Sequence, residues 1–349
     1  MKEHGYAASS RRQKRMIIAV VCVCLVFAFG MFAVSKFESM TSAPVQNAGQ
    51  QLTAYKAGVN RAEYFVDGQW IAQKDLETLL VIGLDDVGGF EVSNSYNNTS
   101  QADFMVLLVQ DKKSGEFNAV HLNRDTMTRI PVLGVTGQKA GYHQGQLALA
   151  YTYGRGREDS CKNTMEAVSH LLYGIEIDHY IAVTMDSVPI ANDWVGGVTV
   201  DILDDFTDVD ETMVLGEKMT LKGQQALSYV RVRKGLSDST NLHRMERQRQ
   251  YADEWLKLAT PLFQNPGAVI DLVVQLSDYH YSDCTAGELA DFANAYANHP
   301  FESVHTLAGK NVQGEVYMEY HLDEDAVRDM VLSLFFEPVM EKGADAKVS

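Results

Sequence analysis

Cationic side chains are concentrated in one short stretch of an otherwise acidic chain. The formal net charge of the chain is −16 at pH 7, yet residues 231–249 hold six cationic side chains against two acidic ones. The cations are Arg231, Arg233, Lys234, Arg244, Arg247 and Arg249. Guanidinium groups bind phosphate oxygens through two parallel hydrogen bonds. The stretch is therefore open to two interpretations, a clamp for a polyphosphate group or a solvated charged face.

The spacing of these arginines predicts how they are presented. Arg231 and Arg233 stand two residues apart among valines, which predicts a strand with both side chains on one face. Arg244, Arg247 and Gln248 fall at positions i, i+3 and i+4, which predicts one face of a helix. A strand and a helix would then offer converging side chains to an anion.

Aspartates stand at the ends of three apolar runs. Asp85 follows the run 79–84, Asp103 opens the run 102–109, and Arg124 and Asp125 follow the run 117–122. Runs of this length are typical of buried strands, so the sequence predicts that these charged side chains lie at the edge of a sheet. The alternative for each aspartate is a turn-forming or helix-capping role.

Further apolar patterns place strands and helices in alternation along the chain. Helices are predicted over 146–154, 164–173, 187–194, 268–276, 286–296 and 323–335, with strands over 177–185 and 198–202 and near Val304. This alternation predicts an α/β fold, a three-layer α-β-α sandwich with a mixed central sheet.

The N-terminus carries the pattern of a membrane anchor. Residues 1–15 hold five cations and one acid, and residues 16–34 form an uncharged run of 19 residues, long enough to cross a bilayer as a helix. The run is longer than the apolar core of a signal peptide. We expect a cell-membrane protein with one transmembrane helix, a cytoplasmic tail at 1–15 and an extracellular C-terminal part.

The extracellular part divides into three predicted segments. Residues 35–72 have the composition of a stem, 73–258 form the catalytic domain, and 259–349 continue its α/β layers and end in a frayed tail. Removing the net +4 of the tail from −16 leaves −20 on residues 35–349, which argues against nucleic acid as a partner. An extracellular location permits a disulfide between Cys161 and Cys284, whose separation in sequence gives no zinc motif.

The order of these motifs resembles that of the LytR-CpsA-Psr family of membrane-anchored cell-wall glycopolymer transferases. The matching segments are 81–85, 102–105, 123–126, 148–156, 177–180, 195–200, 221–227, 229–233 and 244–248. The resemblance implies that a phosphate-linked glycopolymer is moved from a polyprenyl pyrophosphate carrier to a hydroxyl of peptidoglycan, with magnesium (Mg2+) as cofactor. It also implies an apolar pocket for the prenyl chain. Helical residues within 167–172 and 188–194 could line that pocket or belong to an ordinary core.

The resemblance assigns roles to particular residues. Asp85 and Asp103 fall on the acidic positions that hold the metal, and with Arg124 they form the catalytic set. The side chains that bind the pyrophosphate are Arg124, Arg231, Arg233, Arg244 and Gln248. Asp103 is favoured over Asp85 as the base that takes the proton of the attacking hydroxyl. His121 and His143 are rival bases, although a lone histidine in a strand is more often structural.

The chain also departs from the family pattern. Gln101 and Ala102 stand where Arg-Ser is usual, and Asn123 stands where proline is usual. The lost polar groups are open to three interpretations: another polymer, a weaker enzyme, or a binding protein. The last is the second hypothesis, a non-catalytic protein of the same fold that binds a polyprenyl glycolipid or assists wall assembly. A third hypothesis, a membrane-linked transcriptional regulator, has little support because a 15-residue cytoplasmic tail is too short for a DNA-binding domain.

Overall fold

The computed structural model describes residues 55–57, 62–86, 88–90, 92–232, 241–300 and 304–339. For 55–57, 62–63, 241–245 and 286–287 it describes the backbone alone. The predicted cytoplasmic tail and the predicted transmembrane helix at 16–34 lie outside the described residues. Within the described residues, no helix is both long and apolar enough to span a bilayer.

Strands and helices alternate along most of the described chain. The strands are β1 (Tyr55–Ala57), β2 (Ala62–Val66), β3 (Gln69–Gln73), β4 (Leu76–Leu84), β5 (Ala102–Asp111), β6 (Phe117–Leu122), β7 (Met127–Leu133), β8 (Lys139–Gln146), β9 (His179–Val183), β10 (Val198–Asp201), β11 (Lys218–Leu221), β12 (His280–Ser282), β13 (His305–Thr306), β14 (Gly309–Gln313), β15 (Met318–Leu322) and β16 (Phe336–Pro338). The α-helices are α1 (Glu158–Leu171), α2 (Ser187–Trp194), α3 (Gln224–Arg231), α4 (Asn241–Phe263), α5 (Pro266–Gln275), α6 (Ala286–Asn298) and α7 (Glu324–Phe335). A 3-10 helix covers Leu147–Tyr153.

A six-stranded mixed sheet forms the centre of the molecule. Its strand order is β12-β9-β4-β5-β6-β13. The pairs β9/β4 and β6/β13 are parallel, and the other neighbours are antiparallel. The prediction of a mixed central sheet is therefore confirmed.

Helices cover both faces of this sheet. Leu79 and Val81 face a core shared with α2 to α6, whereas Leu80 and Ile82 face a core shared with α1, α7 and the 3-10 helix. Because successive side chains of a strand alternate between faces, a sheet covered on both sides requires an unbroken apolar run. Residues 79–82 form such a run and are fully buried.

Three segments of the fold differ from what the sequence pattern predicts. The apolar spacing over 146–154 predicts a helix, and the chain there forms a 3-10 helix beginning at Leu147. Between it and β6, the chain makes a β7–β8 hairpin that the sequence analysis did not predict. The described part of the predicted stem forms β1, β2 and most of β3, which join β16 in a separate four-stranded sheet.

The prediction of a strand was wrong for Arg231, and Arg233 lies outside the described residues. Residues 224–231 form helix α3, and Gly223 precedes it with φ of 49°. The buried residues of α3 are Ala226, Leu227, Tyr229 and Val230, which is helical spacing. Burial of this face against the core overrides the two-residue spacing of the arginines, so Arg231 ends a helix.

The disulfide that an extracellular location permits between Cys161 and Cys284 is not formed. Both cysteines are buried and carry free thiols. Cys161 lies on α1 in the core on one face of the sheet, and Cys284 belongs to the core on the other face. The sheet therefore separates the two sulfur atoms, and a disulfide spans only a few ångströms.

Candidate functional site

Three of the predicted site residues meet at one edge of the central sheet. Asp85 follows the last residue of β4, Asp103 is the second residue of β5, and Arg124 follows β6 by two residues. Because β4/β5 and β5/β6 are antiparallel, the end of β4, the start of β5 and the end of β6 coincide. The prediction that these residues lie at the edge of a sheet is confirmed, and the strand pairing shows that it is the same edge.

Asp85 is fixed by the main chain of Gln101. The amide of Asp85 donates to the carbonyl of Gln101 at 3.1 Å, and the amide of Gln101 donates to Oδ1 of Asp85 at 2.9 Å. The register of β4 against β5 shifts between Gly83 and Leu84, just before this pair. The Asp85 side chain itself is exposed, so its carboxylate is accessible to a ligand.

Arg124 joins Asp103 and Gln101 through its guanidinium fork. One terminal nitrogen contacts Oδ1 of Asp103, and the other donates to Oε1 of Gln101 at 2.8 Å. The Arg124 and Asp103 side chains are 34% and 32% exposed, so water weakens the energy of this ion pair. Its main effect is geometric, because the two terminal nitrogens of Arg124 are each held by an acceptor. We call Asp85, Gln101, Arg124 and Asp103 the edge network.

Asp125 contacts the edge network through Arg124. Its Oδ1 lies 3.6 Å from Nε of Arg124 and accepts a hydrogen bond of 3.0 Å from Nε2 of Gln146. Burial raises the pKa of Asp125, and the nearby Arg124 charge opposes that rise. Asn123 accepts from the amide of Asp125 at 2.9 Å, so the residue found in place of the usual proline acts as a turn former.

The loop between β4 and β5 is attached to the site by Asp86, Ser100 and Asn98. The Ser100 hydroxyl donates to the Asp86 carboxylate, and the Ser100 amide donates to Oδ1 of Asn98 at 2.9 Å. Nδ2 of Asn98 in turn donates to the carbonyls of Tyr151 and Gly154 at 2.9 and 2.8 Å. The 3-10 helix thus holds the loop that brings Gln101 to the edge.

The carboxylate oxygens at this edge are ligands that suit a hard cation. Asp85 and Asp103 offer carboxylate oxygens, and Asp86 lies beside Asp85 in sequence. Magnesium binds through one or two carboxylates and fills its other positions with water and phosphate oxygens. Asp85 and Asp103 could therefore hold one ion once the contact between Asp103 and Arg124 is broken.

The second group of predicted phosphate-binding residues comprises Arg231, Arg233, Arg244 and Gln248. Arg231 is exposed at the end of α3. Arg233 lies outside the described residues, and Arg244 is described only as a backbone position in α4. Nε2 of Gln248 donates to the carbonyl of Val230 at 2.9 Å. Among the described residues, no hydrogen bond or ion pair joins Arg231 or Gln248 to the edge network.

Arg247 is a buried structural residue, so its inclusion in a cationic helix face was wrong. It is 1% exposed, and its Nε lies 2.9 Å from Oδ2 of the equally buried Asp204. Its terminal nitrogens donate to the carbonyls of Tyr229 and Val232 at 2.5 and 2.6 Å. Burial lowers the pKa of Arg247, and Asp204 opposes this. Arg247 thus binds the carbonyl end of α3, beside Arg231.

The two histidines considered as bases differ in environment. The ring of His121 on β6 packs against Phe104 at 5.6 Å, and burial lowers its pKa to about 4. It is therefore neutral at physiological pH. His143 is exposed on β8, with its ring 5.8 Å from that of Tyr153.

The helices considered for a prenyl pocket contribute mainly to the core. Ala167, Val168, Leu171 and Leu172 pack in the core shared with α1. On the opposite face, Val188 and Ala191 are buried in the other core. The described contacts therefore assign these residues to core packing.

A model of the LytR_cpsA_psr family matches residues 39–334. The chain belongs to the LytR_cpsA_psr family. The edge network and the α3–α4 region both lie within the matched residues.

Two relatives within this family bear the name polyisoprenyl-teichoic acid--peptidoglycan teichoic acid transferase TagU. The Bacillus subtilis protein is 25% identical over 272 residues, which cover 76% of this chain and 78% of that protein. The Halalkalibacterium halodurans protein is 27% identical over 205 residues, which cover 58% of this chain and 60% of that protein. The crystal structure of B. subtilis TagV has the same fold, with a TM-score of 0.52 at 20% identity over 75% of this chain and 97% of that one.

This LytR_cpsA_psr family member uses a residue that the sequence analysis treated only as a departure. Gln101 replaces the arginine usual at this position, yet it contacts both Asp85 and Arg124. Ser100 and Asp204 were not predicted either. Ser100 had no signal beyond its place in a polar loop, and Asp204 lies far in sequence from its partner Arg247.

Proposed function

We propose that this protein is a membrane-anchored transferase that moves a phosphate-linked glycopolymer from a polyprenyl pyrophosphate carrier onto peptidoglycan. The edge network is the observation that carries this proposal, because it sets two carboxylates and a guanidinium fork at one accessible sheet edge. Membership of the LytR_cpsA_psr family and relatives named as teichoic acid transferases give the substrate class.

The proposed reaction is a displacement at the phosphorus that carries the glycan. A peptidoglycan hydroxyl oxygen attacks that phosphorus and forms a new phosphoester bond. The phosphoanhydride bond to the other phosphorus breaks, and polyprenyl phosphate leaves with its electron pair. The hydroxyl proton passes to a carboxylate, for which we favour Asp103 over Asp85, and then to water.

Arg124 supplies the charge that this displacement requires. The anionic oxygens of a pyrophosphate repel a nucleophile, and the leaving phosphate gains charge as the bond breaks. A guanidinium fork matches two phosphate oxygens in geometry. When Arg124 exchanges Asp103 for phosphate, the Asp103 carboxylate is released for its own role, so the ion pair couples substrate binding to activation of the site.

Magnesium fits the same edge. Bound by Asp85 and Asp103, it would neutralise charge on the phosphate oxygens. Gln101 keeps Asp85 in position through its amide at 2.9 Å. The accessible Asp85 carboxylate is therefore oriented for a ligand before one arrives.

Our proposal for the second half of the pyrophosphate site remains the set Arg231, Arg233, Arg244 and Gln248. Arg231 is exposed and free of the buried packing that occupies Arg247. The Gln248 amide nitrogen donates to the carbonyl of Val230, the residue before Arg231, so Gln248 lies at the carbonyl end of α3. We assign the lipid carrier to the outer face of the membrane, where the predicted N-terminal helix would hold the site.

The alternative is a binding protein that holds the lipid-linked glycan without transferring it. It is favoured by the Arg124–Asp103 contact, which engages the proposed base and the proposed phosphate ligand with each other. A binding protein needs no such release of Asp103. The two functions therefore differ in whether the carrier is cleaved.

The test is to incubate the full-length protein, purified in detergent, with a polyprenyl pyrophosphate-linked glycan, peptidoglycan and Mg2+. The transferase hypothesis predicts free polyprenyl phosphate and an equal amount of glycan joined to peptidoglycan. Saturable binding of the lipid-linked glycan without either product would establish the binding protein instead. A relative of the TagU type, assayed with the same substrates, serves as the positive control.

A further inference from the structure

A second cluster of potential ligands lies at the opposite end of the central sheet. His179 is the first residue of β9, and Asp283 and Cys284 follow β12 directly. His179 pairs with Leu79, six residues before Asp85 on β4, so about 20 Å separates this cluster from the edge network. The cluster therefore takes no part in the proposed transfer site.

The three side chains bring a nitrogen, an oxygen and a sulfur atom close to one another. Nδ1 of His179 lies 3.8 Å from Oδ1 of Asp283, and Sγ of Cys284 lies 4.0 Å from the same oxygen. One ligand atom from each of the three residues lies within 4.8 Å of the others. Tetrahedral zinc holds nitrogen, oxygen and sulfur ligands about 3.4 to 3.6 Å apart. Shifts of up to about 1 Å would bring the three groups to that geometry.

The other nitrogen of His179 faces a carboxylate. Nε2 lies 3.9 Å from Oε1 of Glu77, whose second oxygen is 3.2 Å from Nζ of Lys112. Metal-binding histidines usually direct their second nitrogen at a carboxylate or carbonyl, which fixes the ring. Glu77 is placed for this outer role, and Nδ1 is left directed at Asp283 and Cys284.

The backbone around the cluster is held before any ion binds. β12 pairs with β9 through Ser282 and Ile181. The Ser282 hydroxyl donates to the carbonyl of Tyr180 at 2.6 Å and accepts from the amide of Cys284 at 3.1 Å. The amide of Tyr180 donates to Oδ1 of Asp283 at 2.9 Å. The next residue, Thr285, begins α6 with a capping box.

We propose that His179, Asp283 and Cys284 bind a zinc ion, with Nδ1, a carboxylate oxygen and Sγ as ligands and water in the fourth position. The mixed nitrogen, oxygen and sulfur set selects zinc over magnesium or calcium, which prefer oxygen alone. The Cys284 thiol loses its proton to solvent when the metal–sulfur bond forms. The ion would join β9 to the start of α6 and stabilise that edge of the sheet.

The experiment is a zinc titration of full-length, untagged protein in detergent, freed of metal and measured against a chromophoric chelator. We expect one equivalent to bind, and cobalt(II) in its place to give a thiolate charge-transfer band and tetrahedral d–d bands. Cys284→Ser and His179→Gln should remove the site, and Glu77→Gln should weaken it about 10- to 100-fold.

Two control variants distinguish loss of the zinc site from the effect of removing any buried thiol or any histidine. Cys161→Ser removes the buried thiol on the other face of the sheet, and His305→Gln removes a partly buried histidine elsewhere in it; both should bind zinc like the unaltered protein. Zinc should raise the melting temperature of the unaltered protein and both controls, but not that of Cys284→Ser. Less than a tenth of an equivalent bound, or equal binding by Cys284→Ser, would overturn the proposal.

Discussion

Gln101 acts at the sheet edge through both its main chain and its side chain. Its amide positions Asp85, and its Oε1 accepts from Arg124 at 2.8 Å. A glutamine differs from the usual arginine because it brings an acceptor where a second guanidinium would bring donors. The neutral Gln101 therefore orients the Arg124 guanidinium. The positive charge at this edge is lower than the family pattern predicts.

Gln101→Ala tests the side-chain contact alone, because the hydrogen bond from the main-chain amide of residue 101 to Asp85 persists. We expect the rate of glycan transfer to fall about 10-fold, near the low end for a hydrogen bond to a charged group, since Arg124 is partly exposed. Gln101→Glu keeps an acceptor oxygen and is the matched control. Transfer by the alanine variant at the unaltered rate would show that Arg124 needs no such partner.

His121 gives the fold a dependence on pH. Burial lowers its pKa from the ordinary 6.5 to about 4, so below pH 6.5 the unfolded chain takes up a proton that the folded chain does not. Stability from this group is therefore present above pH 6.5 and is lost as pH falls towards 4, by at most about 2 kcal/mol at pH 5. Urea unfolding at pH 7 and pH 5 should show a smaller loss in His121→Gln. Equal losses in both proteins would contradict the assignment.

Helix α3 and helix α4 are joined by a buried polar contact as well as by apolar packing. Arg247 from α4 binds two carbonyls at the end of α3 while paired with Asp204, and its guanidinium lies 4.9 Å from the ring of Phe206. The last carbonyls of a helix lack partners within the helix, so an arginine that binds them fixes where the helix ends. That end carries Arg231.

Arg247→Met should lower the free energy of unfolding by about 3 to 5 kcal/mol, because it leaves the Asp204 carboxylate buried without the guanidinium. Replacing both residues, as in Asp204→Leu with Arg247→Met, should recover much of that loss. Denaturant unfolding of the single and double variants gives the measurement. A single variant as stable as the unaltered protein would mean that the pair contributes little to the fold.

Elements with a clear apolar period could be predicted from the sequence, whereas those fixed by distant contacts could not. Helix α2 was predicted with its observed bounds, since Ser187–Trp194 buries Val188 and Ala191 at helical spacing. Asp85, Asp103 and Arg124 were predicted at strand ends because each borders an apolar run. The helical state of Tyr229–Arg231 and the burial of Arg247 depend on Asp204, and no local pattern points to that residue.

At the scale of the whole molecule, the central sheet separates two chemically different ends. The edge network lies at one end of β4, and the proposed zinc ligands lie at the other. The predicted membrane helix ends at residue 34, and β1 begins at Tyr55 in the sheet that also contains β16. The transfer chemistry requires that this whole assembly lie outside the membrane, where peptidoglycan is found.

Protease treatment of intact, wall-stripped cells tests that orientation. We expect digestion from about residue 36 onward, with the cationic tail at 1–15 protected, because short cationic flanks remain in the cytoplasm. Antibodies to the two ends of the chain would report the result. Protection of the C-terminal part until the membrane is broken would place the edge network in the cytoplasm and exclude transfer to peptidoglycan.

The central claim is that the edge network performs the transfer, and Asp103→Asn tests it most directly. The asparagine keeps the size of the side chain but removes the charge that would bind magnesium and take the proton. The measurement is release of polyprenyl phosphate at saturating lipid-linked glycan and Mg2+, for the unaltered protein and the variant. We predict equal binding of the lipid and a rate of release at least about 100-fold lower in the variant. Release at the unaltered rate by Asp103→Asn would contradict the account.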